Sequence, residues 1–370
     1  MSDLFEKRLN RIKDAIAFKE VEKVPVAPCA NAYFARQKNV LIKDYITDFD
    51  LASDVNIACL KEMGADVTQN VIFSPYLLPN QWLSKVAVPG KELGGDELWQ
   101  VLEGETMKAP DYDEILNDGF GAFHEKFVRE RLDDNNQKLA PFFAYLPTAY
   151  KKFFDADIPC ICDFLMITPF EFFCGGRSLE KFFLEDLLDN PDKTEKAFQA
   201  AMDHLLPMYR NMMKDTNPTG VWIGGWRTAS ELLSAKIWDR FVLPYFHQYA
   251  ALCVEMNVIP IFHLDSNWTR DLEKFLEFPA KKCIMALDSS TDIQRARKVL
   301  GEHMCIMGDV PANMLAFSPK EDVYDYTMGL IRRIGPKGYM VSSGCDVPFN
   351  AKLDNVQMMA KAIDDFCRQR

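Results

Sequence analysis

Short apolar runs rich in β-branched residues recur along the chain, and between most of them lie longer stretches whose apolar positions follow helical spacing. The runs are Val24 to Pro28, Ala65 to Phe73, Cys160 to Thr168, Gly220 to Gly225, Val258 to Asp265, Cys283 to Asp288, Met304 to Val310 and Tyr339 to Cys345. The helical stretches include Pro191 to Thr216, Ala229 to Met256, Trp268 to Phe275, Thr291 to Leu300 and Lys320 to Ile334. Alternation of strand and helix predicts parallel crossovers, hence an α/β fold. Eight strands spaced in this way predict closure into a (β/α)8 TIM barrel. An open doubly wound sheet would produce a similar pattern, but no G-x-G-x-x-G follows an early strand, which removes the best motif for a nucleotide-binding sheet.

At 370 residues the chain exceeds the roughly 250 that such a barrel needs, and insertions account for the difference. No internal repeat, low-complexity tract or Gly/Ser linker marks a boundary, so residues 1–370 are expected to form one barrel domain. An insertion is expected at about 75–140, between early strands. Its segment VAVPGKELGGDELWQVLEGETMKAP combines turn residues with alternating Val, Trp and Leu, which predicts hairpins laid over the barrel as part of a substrate entrance.

Composition narrows the function classes. With 48% apolar and 26% charged residues the chain can bury a large core. A formal net charge of -11 argues against nucleic acid or an anionic membrane as partner, because both demand clustered Lys and Arg. No apolar run is long enough to span a bilayer, and the opening MSDLFEKRLNRIKDAIAFKE is charged and helix-patterned rather than signal-like, so a cytoplasmic location is expected. The ten cysteines then read as reduced thiols. Cys160 and Cys162, alone in lying close together, read as structural residues on one face of a strand.

In a barrel of this kind the reacting groups project from the C-terminal strand ends. Those ends carry His263 and Asp265 in IPIFHLDSN, Asp288 in CIMALDSS, Asp309 in CIMGDVP, and Cys345 with Asp346 in MVSSGCDVP. His263 and Asp265 are two apart and so face the same way on a strand, into the mouth. Cys345 approaches from across it if the last strand ends there. One nitrogen, one oxygen and one sulfur make a donor set that zinc accepts, with a catalytic site keeping an open position. Glu231, after GGWRTAS, is a candidate fourth ligand. A second reading stands beside this one, in which the carboxylate merely fixes the imidazole tautomer through a hydrogen bond. Arg227 and Asp288 are candidates for orienting substrate; alternatively Arg227 forms a surface ion pair, Asp288 caps the helix near Thr291, and Asp309 braces the turn before Pro311.

The phrases EKVPVAP, GADV, VPGKELGGDELWQV, LLDNPDK, SELLSAKIWDRFVLPY, FHLDS, LDSSTDI, MGDVP and SSGCDVPFNAKLDNVQMMAKAI run in order through nearly the whole chain. Together they resemble the uroporphyrinogen decarboxylase superfamily, which includes haem-pathway decarboxylases and cobalamin-dependent methyltransferases. The resemblance implies a distorted (β/α)8 barrel. The decarboxylases carry an Arg-Gln-Ala-Gly-Arg motif near the N-terminus; here PVAPCANAYFARQKN holds Arg36 and Gln37 without it. The methyltransferase branch uses a zinc site of the form His-x-Cys followed late by a Gly-Cys segment. His263 matches the first ligand and Cys345 the last, while Asp265 stands where the middle Cys would be. The substitution either hardens the site toward an oxygen substrate or abolishes it.

This resemblance implies methyl transfer between a small compound, such as an aryl methyl ether, methanol or a methylamine, and the cobalt of a corrinoid carried by a partner protein. Its cofactors would be zinc and that corrinoid (cobalamin), and the arrangement leaves room for a homodimer. Uroporphyrinogen decarboxylation and a noncatalytic binding barrel are the competing readings.

Overall fold

The computed structural model describes residues 2–225 and 227–369. Its main sheet contains six parallel strands in sequential order: β3 (Leu165–Ile167), β4 (Gly220–Gly225), β5 (Ile259–Leu264), β6 (Ile284–Leu287), β7 (Cys305–Val310) and β8 (Tyr339–Ser343). The strands β1 (Lys85–Ala87) and β2 (Gln100–Leu102) form a separate antiparallel hairpin.

The first two apolar runs of the sequence fill the gap between β8 and β3 through isolated bridges rather than regular strands. Ala27 N–H donates to the Val341 carbonyl and Val341 N–H to that of Pro25, each at 2.9 Å. On the other side Asp66 N–H reaches the Val26 carbonyl at 3.0 Å, and Thr68 and Ile161 exchange bonds with Pro159 and Thr68 at 2.9 Å. Backbone pairing therefore continues around the ring. The first run pairs sparsely because Pro25 and Pro28 have no N–H to give. In the second, Thr68 turns its hydroxyl back onto the Asn70 carbonyl, a local bond that competes with the ladder.

Strand alternation divides the apolar residues into two layers. Ile261, Ile284, Ala286, Cys305, Met307 and Met340 belong to the inner cluster, whereas Phe262, Leu264, Met285, Ile306 and Val341 join the larger one between sheet and helices. The helix Asp3–Ile16 contributes Ile12, Ala15 and Ile16 to the inner cluster and so closes one end of the ring. Its start is capped by Ser2, whose side chain accepts from Phe5 N–H at 3.1 Å.

The helix Pro191–Thr216 forms as its spacing predicts. The stretch from Ala229 to Met256 instead divides into Ala235–Phe241 and Leu243–Glu255, because Pro244 starts a new helix and cannot donate to the preceding turn. Trp268 to Phe275 becomes the 3-10 helix Thr269–Glu277. Between 75 and 140 the β1–β2 hairpin is joined by the helices Asp111–Asp118 and Phe120–Arg131, so this region is more helical than its turn-rich sequence suggests. Fully buried Arg177 secures the chain beyond the hairpin through Glu105, Glu185 and Asp186, the last at 2.9 Å. Among the described residues no helix is long and apolar enough to cross a membrane. All ten cysteines are free thiols. Cys160 packs in the outer cluster and Cys162 in the inner one, so they do not share a face; the backbone there is not yet a regular strand.

Removing the side chain that plugs the ring should be costly. Ile12→Ala is expected to destabilise the fold by about 2–5 kcal/mol, read as a lower urea midpoint with an unchanged slope.

Candidate metal centre

The pleat that sends Ile261 inward also sends His263 and Asp265 inward, at the C-terminal end of β5. Cys345 arrives differently. Met340 and Ser342 take the inner positions of β8, so simple continuation would turn Cys345 outward; the strand stops at Ser343 and bends at Gly344 and Cys345. The chain is then held to the first run, where Val347 N–H donates to the Cys29 carbonyl at 2.7 Å.

His263 Nε2 lies 3.4 Å from an Asp265 carboxylate oxygen and 3.6 Å from Cys345 Sγ. All three donor atoms fall within 4.8 Å of one another. Zinc bonds of about 2.0–2.3 Å in tetrahedral array would separate nitrogen from oxygen, and nitrogen from sulfur, by roughly 3.3–3.6 Å. The donor types and the two separations from Nε2 fit such an ion. Here both neighbours converge on Nε2, and Nδ1 is buried with no hydrogen-bond partner among the described residues.

What steadies the ring is an aromatic face. Trp222 of β4 stacks on His263 with centroids 4.0 Å apart and planes 4° from parallel. The two strands come this close because Gly224, opposite His263, has φ of +150° and no side chain; a Cβ there would sit 2.3 Å from the His263 carbonyl oxygen.

Burial by itself would strip the charge from His263, but the adjoining Asp265 and Cys345 prevail and raise its pKa to about 10. Burial pushes Asp265 up and the imidazole draws it down, with a net lowering. The Cys345 thiol is raised by burial. Without an ion the neutral-pH triad is thus an imidazolium–carboxylate pair beside a thiol.

The remaining candidates surround this cluster. Glu231 is not drawn into it; one of its oxygens accepts from Asn267 N–H at 3.1 Å, tying the loop after β4 to the loop after β5. Asp288 accepts from Ser266 N–H at 2.7 Å and Ser290 N–H at 2.8 Å, so it holds the turn that directly follows Asp265. The helix after it is capped by Asp292 instead. Asp309 is buried and accepts from the Tyr326 hydroxyl at 2.9 Å. Arg227 is buried rather than superficial, and pairs with Glu103 beyond the hairpin at 3.2 Å and with Glu171 at 3.6 Å.

Sequence reasoning missed Trp222, Glu171 and the cross-strand glycine. Glu171 is fully buried at the start of the helix Pro169–Arg177 and accepts from Arg227 and Thr228 N–H at 2.9 and 3.2 Å. Gly225 permits this, since a Cβ there would meet the carboxylate at 2.0 Å. A Trp between glycines in GVWIGG hints at a special inward position, but its neighbour depends on strand register.

Residues 168–366 match the model of the family described as uroporphyrinogen decarboxylase (URO-D). A uroporphyrinogen decarboxylase of Myxococcus xanthus (strain DK1622) is 22% identical over 339 residues, covering 90% of this chain and 87% of that protein. A methyltransferase from Methanosarcina mazei superposes with a TM-score of 0.73, covering 97% of this chain and 98% of its own, at 15% identity. That likeness is one of fold.

Buried carboxyls near the strand ends, Glu171 and Asp309 among them, give stability a pH signature. Burial lifts Glu171 from 4.5 to about 7 against the pull of Arg227, and Asp309 from 3.8 to about 7 against the Tyr326 hydroxyl. The folded chain therefore holds more protons than the unfolded chain between those values, and the stability they contribute below that window is lost as pH rises through about 7. The melting temperature is expected to fall across it, and less steeply in Glu171→Gln, which stays neutral. A wild-type melting temperature that is flat or rises there would contradict this assignment.

Proposed function

From the premise that this chain belongs to the uroporphyrinogen decarboxylase family, we propose that it is a zinc-dependent methyltransferase acting between a small substrate and a corrinoid carried by a partner protein. We read residues 1–370 as one barrel domain, with about 75–140 as an insertion. The observation that supports the reading most is the convergence of nitrogen, oxygen and sulfur from His263, Asp265 and Cys345 at spacings suited to a tetrahedral ion. Zinc, when bound, would act as a Lewis acid on the substrate's oxygen or nitrogen, so that the bond to methyl can break with its electron pair left on that atom.

The chain's own groups have separate tasks. His263 must surrender its proton and Cys345 its thiol hydrogen to become ligands, while Asp265 is already ionised. Trp222 keeps the imidazole plane aligned. Asp288 fixes the backbone after Asp265, and Glu231 ties the neighbouring loop. Arg227 connects the strand-end loop to the hairpin side through Glu103, which makes it a candidate for orienting what enters there.

Decarboxylation is the second reading, favoured by the Myxococcus relative. A substrate with many carboxylates needs cations to receive them. Arg227, the candidate cation at these strand ends, already faces Glu171 and Glu103. Release of carbon dioxide from uroporphyrinogen without cobalamin would select this alternative, whereas a change in cobalamin absorbance with methanol, methylamines or aryl methyl ethers would select methyl transfer.

Metal analysis should find about one zinc per chain. Asp265→Ala should weaken zinc binding by more than about 100-fold with an unchanged circular dichroism spectrum, since even outer partners of metal ligands are worth 10–100-fold. Calorimetry in buffers of different ionisation enthalpy should show about two protons released per ion near neutrality, from His263 and Cys345, and affinity rising with pH. Unchanged zinc content in Asp265→Ala would remove that residue from the ligand set.

A further inference from the structure

Away from the metal centre, the β1–β2 hairpin and the start of the helix Asn135–Asp155 enclose a cleft of about 160 Å³, partly open to solvent. A cavity of about 150 Å³ takes benzene, so the cleft has room for an occupant with the bulk of one small ring. Val86 and Leu102 of the hairpin supply apolar wall, together with Pro79 and Leu132. The charged part of the wall is mainly cationic, with Lys85, Lys91 and Lys138 set against Glu92 and Asp133. That sign runs against the net charge of -11 carried by the whole chain.

The three ammonium groups come from separate parts of the chain, and none forms an ion pair among the described residues. Lys91 Nζ donates to the Tyr76 hydroxyl at 2.6 Å. Lys91 and Lys138 stand 5.1 and 5.9 Å from the centre of that one ring. Two cations gathered at one ring repel each other, and an anion placed with them relieves the repulsion. Glu92 does not pair with them; one of its oxygens accepts from Val88 N–H at 3.0 Å. The backbone of this wall is already fixed, because buried Asn135 donates to the Tyr76 carbonyl at 2.6 Å and to Asn80 Oδ1 at 2.7 Å. Cations beside apolar surface call for a ligand with both an anionic group and an apolar body. Inorganic phosphate supplies only the first, and a neutral aromatic only the second.

We propose that this cleft is a second binding site, for a small organic carboxylate whose apolar body rests on Val86 and Leu102 and whose charge lies among Lys85, Lys91 and Lys138. The site is separate from the triad and does not depend on the methyl-transfer reading. One residue connects it to the strand ends: Glu103, next to Leu102, pairs with Arg227 at 3.2 Å.

Benzoate, benzyl alcohol and inorganic phosphate separate the two contributions, since the alcohol keeps the ring without the charge and phosphate keeps charge without the ring. Their dissociation constants would be measured by ligand-observed NMR on chelator-treated protein, in which no metal can hold the carboxylate. Wild type should bind benzoate about 5-fold or more tightly than either of the others, the upper range for one half-exposed ion pair. Lys91→Met and Lys138→Met should each weaken benzoate by about 2- to 5-fold without weakening benzyl alcohol, and the double variant should bind the two equally. Added salt should weaken benzoate and spare the alcohol. Benzoate binding no tighter than benzyl alcohol, phosphate binding as tightly as benzoate, or an unchanged benzoate affinity in the double variant would each overturn the assignment. If the double variant fails to fold, the wild-type ligand series and the single variants decide by themselves.

Discussion

The alternation of side chains along β5 governs what the barrel mouth can do. Ile261 and His263 share the inner face with Asp265, and Phe262 and Leu264 pack outward against helices. A slip of one residue would carry the imidazole into the helix layer and expose two large apolar side chains to the barrel interior. Burial of Phe262 and Leu264 therefore specifies where His263 points. The hydrophobic effect positions the polar site without touching it.

The inner face must also accommodate charge in a place poor in water. Here the solution is pairing by proximity: imidazole with carboxylate at the triad, guanidinium with two carboxylates at the end of β4. Neither arrangement is a strong source of stability, since desolvation offsets much of the attraction. Their value is in fixing geometry. Arg227 joins the loop after β4 to Glu103 beyond the hairpin, and Glu171 receives the two N–H groups that shape that loop. Gly224 and Gly225 make the close approaches possible, one beside His263 and one beside Glu171.

Between the triad and the packed inner layer lies a close-packed space that Gln69 borders. Its wall brings together Cys29 just past the first run, Gln69 of the second, and four of the late strands, so no single element defines it. Proline in the first run and polar residues in the second weaken their pairing with neighbours. The same departures from a regular ladder set Cys29 and Gln69 at that wall.

The sequence by itself determined the order of eight β-rich runs, the helices between them, and the placing of ionisable residues where apolar runs stop, because alternation and helical spacing are local properties. The two-residue separation of His263 and Asp265 was enough to put them on one face. It did not determine that the first two runs would pair only by isolated bridges, that the Ala229 to Met256 stretch would break at Pro244, or that Glu231 would be occupied by Asn267 rather than join the triad. Nor did strand parity bring Cys345 inward, since on β8 it belongs to the outer set; a bend held by contacts from the opposite end of the chain accomplished that. Trp222 against His263 and Gln69 below the triad are likewise consequences of register and ring closure. Such contacts join residues remote in the chain, and only the packing of the whole barrel brings them within reach.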